Sequence, residues 1–189
     1  MVRIHNNKKG IRVLAIAESF KKQDKKSILA GIVMRRDFIV DGFIYGYTTV
    51  GGNDSTDIVL SMVQQLGRND INCILLGGLI ISLFNIVNGK YINEITGLPV
   101  IGISYKRSSG LKDSIYGINE ERKIHDYLKL DERKPVMLWT GKTIFVRYWG
   151  ISFFDTSSLI NSLVLQGAKP EPLRLAALAA RAHRDYVRK

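Results

Sequence analysis

Three carboxylates stand where the surrounding pattern gives them access to chemistry: Glu18, Asp54 and Asp57. Glu18 closes the apolar run 11–18, which reads as a strand buried on both faces, and the C-terminal tip of such a strand faces a crevice. Asp54 and Asp57 share a turn just before Ile58, Val59, Met62, Val63 and Leu66 recur at helical spacing and Gly67 stops the pattern. Two readings stay open for this pair. Asp54 suits an N-cap, and both acids oppose the positive end of the helix dipole. Alternatively, Asp54 joins Glu18 around a divalent cation. Mg²⁺ takes oxygen ligands and keeps waters, so one Glu and one Asp hold it weakly until a phosphate adds further oxygens. Asp41, followed by Gly42 within a strand-like stretch, reads as a bulge or turn acid.

Other reactive groups are isolated. His5, His125 and His183 lack metal-ligand spacing and form no nucleophile–base arrangement. Cys73, the sole cysteine, lies in the apolar run 71–76 and reads as a buried thiol; the absence of a disulfide framework fits a reducing cytoplasm. Gly141-Lys142-Thr143 imitates the end of a phosphate loop, but the glycine required five residues before Gly141 is replaced by Val136.

Basic side chains carry more information. Lys and Arg number 28 against 17 Asp and Glu, a net charge of +11 that favours a polyanionic partner, nucleic acid first. Candidate phosphate contacts are Arg35, Arg36, Lys106, Arg107 and the C-terminal arginines. At about 100° per residue, Arg174, Arg181, Arg184 and Arg188 fall in one arc of a terminal helix, with Leu175, Ala179, Ala182 and Tyr186 opposite and His183 packed at the apolar edge. A solvated face and a phosphate-binding stripe are the two meanings of that arc. Phe38, Phe43, Tyr45 and Tyr47, and Phe145, Tyr148, Trp149, Phe153 and Phe154, form two aromatic sets that read first as core and second as base-stacking surfaces.

These groups must be positioned by a recognisable order of elements. Strands over 11–18, 27–36 and 38–50 form an antiparallel meander. A helix then leads to a strand over 71–76, a mostly apolar helix over 81–92 to a strand over 100–104, and a helix spans 119–130. A hairpin over 135–139 and 143–149 precedes helices over 156–165 and 170–187. The β-α-β-α-β part is parallel, and the whole is the order of a ribonuclease H-like α/β fold with a mixed sheet and helices on both faces. Residues 1–189 read as one domain. The N-terminus has no signal-peptide core, and the longest apolar stretch, 74–87, is too short and glycine-interrupted to span a bilayer.

Several stretches together resemble one family: the run over 11–14 with its acidic tip, Gly31-Ile32-Val33-Met34-Arg35, Asp41-Gly42, Asp54-Ser55-Thr56-Asp57, Leu76-Gly77-Gly78, Phe84-Asn85, Gly97-Leu98-Pro99-Val100, and Pro170-Glu171-Pro172-Leu173-Arg174-Leu175-Ala176. Their order is similar to that of the mainly archaeal family number 99 among the domains of unknown function, itself similar to endonuclease V. The resemblance implies phosphodiester cleavage with divalent metal held by carboxylates at the tips of the first strand and of the first parallel strand. This chain departs from it. The paired aspartates of the first tip are Ala17-Glu18, the Asp-Gly of the second is Gly77-Gly78, a Pro-Gly-His is matched only by Trp149-Gly150-Ile151, and Asn88 replaces an acid. The expectation is therefore a nucleic-acid-binding relative of endonuclease V with a degenerate metal site and little or no nuclease activity, requiring no cofactor. The alternative enzyme is a Mg²⁺- or Mn²⁺-dependent endonuclease with Glu18, Asp54 and Asp57 as catalytic acids and Glu18 and Asp54 as metal ligands. A scaffold role and self-association remain the third class.

Overall fold

β1 (Arg12–Ser19) lies third in a seven-stranded sheet of order β3-β2-β1-β4-β7-β9-β8, antiparallel to β2 (Lys26–Arg35) and parallel to β4 (Cys73–Leu76). The structure, a computed structural model, describes residues 10–106, 117 and 120–188. β2 pairs with the edge strand β3 (Val40–Thr49), and β4 with the parallel β7 (Val100–Ser104). β9 (Thr143–Trp149) then runs antiparallel to β7 and carries β8 (Lys134–Met137) on the far edge. The meander, the parallel centre and the late hairpin follow the order read from the sequence.

Alternation along these strands feeds two layers. Val13, Ala15, Cys73, Leu75, Ile101 and Ile103 pack with helices α4 (Phe153–Ser162) and α5 (Glu171–Val187) through Leu159, Ile160, Leu163 and Leu173. Leu14, Ile16, Ile74 and Leu76 face the other way, onto Val59 and Met62 of α1 (Ser55–Leu66) and Ile92 of α2 (Gly89–Thr96). Helix α3 (Glu121–Leu128) is fastened to the end of β3 by the buried Lys123, whose ammonium donates to the Gly51 carbonyl at 2.6 Å. Among the described residues, no helix is long and apolar enough to cross a membrane.

The helix expected over 81–92 is replaced by a hairpin and a shorter helix. β5 (Ile80–Ile81) and β6 (Asn85–Ile86) flank a turn in which Ser82, Leu83 and Phe84 all adopt positive φ, 44°, 55° and 65°. Left-handed backbone costs a non-glycine residue roughly 1–2 kcal/mol. Here contacts from elsewhere offset that cost, because Ser82 accepts from the Gly51 N–H at 2.6 Å and donates to Glu18. α2 begins only at Gly89, where a Cβ would stand 2.2 Å from the Trp149 ring.

Asp41 is the unpaired residue of a bulge, since Val33 pairs with Gly42 and Met34 with Val40. Its carboxylate accepts from Arg12 Nε at 2.5 Å and lies 3.7 Å from Arg68, as a bulge acid should. The terminal helix is rotated from the expected arc. Leu173, Ala176 and Ala180 form its buried face, and Tyr186 is 76% exposed. Small residues at the centre let α5 lie close to Ile28, Ala30, Ile32 and Met34 of β2, so Leu175 and Ala179 become a flank.

Candidate functional site at the tip of the first strand

Glu18 ends β1 as expected, but its carboxylate is bound by the protein itself. Oε2 accepts from Ser27 Oγ at 3.0 Å and from Ser82 Oγ at 2.5 Å, and the Ser82 N–H reaches both oxygens at 3.0–3.1 Å. The left-handed turn aims the Ser82 amide and hydroxyl at the same carboxylate, joining β1, β2 and the β5–β6 hairpin at one point.

Asp54 occupies the N-cap position of α1 without making a side-chain cap bond. Its carboxylate turns back to β3, accepting from Thr48 Oγ1 at 2.5 Å, Thr49 Oγ1 at 2.7 Å, the Thr49 N–H and Asn85 Nδ2 at 2.7 Å. Burial pushes this carboxyl up, but the hydrogen bonds from Thr48, Thr49 and Asn85 outweigh it and hold the group well below the ordinary carboxylate range. Asn85 completes the exchange, since its Oδ1 accepts from the Ser55 N–H at 3.1 Å and caps α1 in place of Asp54.

Asp57 is exposed in the first turn of α1 and faces a cleft of about 540 Å³ that it shares with Asn88, Tyr91, Arg122 and Trp149. The three predicted acids therefore do not converge. Among the described residues, no three His, Cys, Asp or Glu side chains come together in a way that holds a metal.

The positions that the resemblance assigns to metal-binding aspartates do converge, without their carboxylates. A Cβ added at Gly77 would lie 3.5 Å from the Ala17 Cβ and 3.6 Å from a Leu173 methyl. Position 77 also donates its N–H to the Ile16 carbonyl at 2.9 Å, which locks β4 beside β1. A hard dication requires oxygen ligands, and this point offers a methyl group, a hydrogen, a leucine and the Ile16 carbonyl, which already accepts from the Gly77 N–H. The residues at positions 17 and 77 supply no side-chain ligand for a catalytic metal.

The predicted phosphate contacts fall into two sets. Arg174 pairs with Glu171, Arg35 with Asp37 and Arg188 with Asp24, while Arg184, 15% exposed, bonds Asp185 and the Ser19 hydroxyl at the β1 tip. Arg36, Lys106 and Arg181 form no ion pair among the described residues, and Arg107 lies outside them. The arginine arc is therefore mostly a set of internal ties. Phe43, Tyr45 and Tyr47 point outward, 56%, 38% and 46% exposed, rather than filling the core.

Ser82 holds Glu18, Asn85 holds Asp54 and Lys123 holds the Gly51 carbonyl, and none of the three is among the candidate site residues read from the sequence. Phe84-Asn85 was visible only as part of a motif, because the partners of Asn85 lie 30 or more residues away. Cys73 is fully buried, and burial pushes its thiol up, which makes it inert.

A family model described as endonuclease dU matches residues 9–184. The UPF0215 protein of Pyrobaculum calidifontis is 32% identical over 177 residues, covering 92% of this chain and 97% of that relative. A crystal structure of a protein of unknown function from Archaeoglobus fulgidus superposes with a TM-score of 0.78 at 26% identity, over 92% of this chain and 98% of that one. Endonuclease V of Ciona intestinalis, solved in complex with a 24mer DNA containing an inosine followed by a ribo-adenosine, gives a TM-score of 0.67 at 12% identity, over 94% and 87%, and shares the ribonuclease H-like fold. With the match running through nearly every described element, this chain belongs to the endonuclease dU family, an archaeal endonuclease V-like group.

Proposed function

We propose that this protein binds nucleic acid and that its first-strand tip has lost the metal centre needed to hydrolyse a phosphodiester. The observation that carries this reading is the convergence of Ala17, Gly77 and Leu173 where two carboxylates would be required, beside a Glu18 already bound by Ser27 and Ser82. Asp54 does not replace the missing acids, because its oxygens are held by Thr48, Thr49 and Asn85. Arg36, Lys106 and Arg181 supply the unpaired cations for phosphates, with Arg107 as a further candidate. Arg35, Arg174, Arg184 and Arg188 contribute only by giving up partners they already hold. Contacts of this kind give affinity without base specificity.

Family membership favours one competing reading, a Mg²⁺- or Mn²⁺-dependent endonuclease acting on deoxyuridine in DNA with Glu18, Asp54 and Asp57 as its acids. Fluorescence anisotropy of labelled single-stranded and duplex DNA and RNA separates the two. The measurement is made at two salt concentrations, with and without Mn²⁺, including a deoxyuridine-containing DNA, and the products are run on a gel. Salt-sensitive binding that leaves every oligonucleotide intact supports the binding-only reading. Mn²⁺-dependent shortening that is abolished by Glu18→Gln replaces it with the nuclease.

A further inference from the structure

The outward face of β3 carries an aromatic row that neither the core nor the strand tip uses. Phe43, Tyr45 and Tyr47 alternate with Gly42, Ile44 and Gly46; Ile44 and Gly46 lie against Met62, with a Cβ at Gly46 meeting its sulfur at 2.8 Å. The three rings stand on the opposite face, cross-strand from Ile32, Ala30 and Ile28. α5 packs over β1 and β2 and touches the edge strand through His183, leaving the three rings 38–56% exposed. Alternate side chains on a strand are spaced about 6.8 Å apart. His183 of α5 reaches across to hold the row, stacked on Tyr45 at 4.5 Å between centroids and bonded through Nε2 to the Tyr47 hydroxyl at 2.6 Å.

Positive charge brackets this row. Lys26, cross-strand from Thr49, donates to its hydroxyl at 2.9 Å at the Tyr47 end, next to the turn that bears the exposed Lys22 and Lys25. Arg36 lies in the turn at the opposite end. Lys22, Lys25 and Arg36 form no ion pair among the described residues. Flat rings in an open row flanked by unpaired cations suit a ligand with flat apolar faces and regular negative charge. Bases in a duplex strand stack about 3.4 Å apart with no face free. Rings at twice that spacing accept consecutive bases only from a strand whose bases are unstacked.

We propose that the outward face of β3 is a stacking platform for single-stranded nucleic acid, with bases on Phe43, Tyr45 and Tyr47 and phosphates on Lys22, Lys25, Lys26 and Arg36. This rests on the nucleic-acid-binding reading and places the contact away from the Ala17–Gly77 convergence. Base–aromatic stacking is sequence-tolerant, so the platform holds DNA and RNA single strands alike.

The test is anisotropy of fluorescein-labelled oligo-dT, oligo-U and a blunt duplex with wild type, Phe43→Ala, Tyr45→Ala and Tyr47→Phe. Phe43→Ala and Tyr45→Ala each weaken single-strand binding by about tenfold and leave duplex binding unchanged, while Tyr47→Phe, which keeps the ring, binds as wild type. Phe43 is more than half exposed, so Phe43→Ala retains the fold, as unchanged circular dichroism and melting temperature will confirm. Single-strand affinity unaffected by both alanine variants overturns the platform while leaving nucleic-acid binding standing. No binding of any oligonucleotide by wild type overturns the broader reading and the platform together. A dimer detected by light scattering that Phe43→Ala dissociates, with oligonucleotide binding intact, assigns the row to self-association and overturns the platform.

Discussion

Ala17 and Gly77 face each other across the β1–β4 ladder so closely that a Cβ on Gly77 would touch the Ala17 methyl at 3.5 Å. Gly77 does not have a positive φ, and its nearest prospective neighbours sit at ordinary contact distance. The double variant Ala17→Asp/Gly77→Asp therefore brings two carboxylates together without backbone strain. Its expected behaviour is Mn²⁺ binding by calorimetry, absent in wild type, and a melting temperature that rises with Mn²⁺ because the ion binds only the folded state. Without metal the variant melts lower than wild type, since two like charges then sit beside Leu173. A double variant whose melting ignores Mn²⁺ would show that two carboxylates at positions 17 and 77 do not by themselves build a metal site.

Asp54 makes stability dependent on acid. Its carboxyl titrates below the ordinary value of about 3.9 taken by an unfolded chain, so on acidification the unfolded state takes up the proton first. The stabilisation is fully present above that value and is withdrawn as pH falls toward the lower folded one. Denaturant midpoints measured from pH 7 downward should fall steeply below about pH 4 in wild type, and less steeply in Asp54→Asn. Asp54→Ala at pH 7 should cost about 1–3 kcal/mol, because the Asn85 amide and Thr48 hydroxyl lose their charged acceptor.

The arginines of α5 should divide by experiment as they do in space. Arg181→Ala leaves the melting temperature unchanged and, if the residue contacts a phosphate, lowers the salt slope of duplex binding by about one. Arg184→Ala loses the bond to Ser19 at the β1 tip and should destabilise the fold by about 1 kcal/mol. Thermal melts and a salt titration of each variant check both statements.

Leu83, 44% exposed with φ near 55°, tests whether the β5–β6 turn is strained. Leu83→Gly removes the left-handed penalty of roughly 1–2 kcal/mol and costs about 0.5–1 kcal/mol in unfolded-chain entropy. A net gain of up to about 1.5 kcal/mol is expected from denaturant melts. A loss of stability would mean that the Leu83 side chain contributes more by packing than the turn stores as strain.

Local patterns in the sequence carried most of the sheet. The unbroken apolar run of β1, the β-branched and aromatic content of the meander and the glycine stop after Leu66 each depend on residues a few positions apart, and each element appeared where expected. The helix expected over 81–92 misleads because an apolar run without clear period fits a helix or a buried strand equally well. Its shape is decided by Gly51 and Glu18, 31 or more positions away from the Ser82 they meet. Asp54 was legible as the residue at the helix entrance, but not its donors from β3 and β6. The arginine arc was legible as an arc. Its pairing with Ser19 and Asp24 is a product of how α5 lies on the sheet.

The bulge at Asp41 has a consequence for the free rim of β3. An edge strand of ten residues, paired on one side alone, is a template on which another chain can continue the sheet, a route to aggregation. Asp41 interrupts the hydrogen-bonding ladder, twists the strand locally and puts an ion-paired carboxylate at the interruption. An incoming strand thus loses its register at that point, so the rim resists edge-to-edge addition while its broad side stays open to solvent.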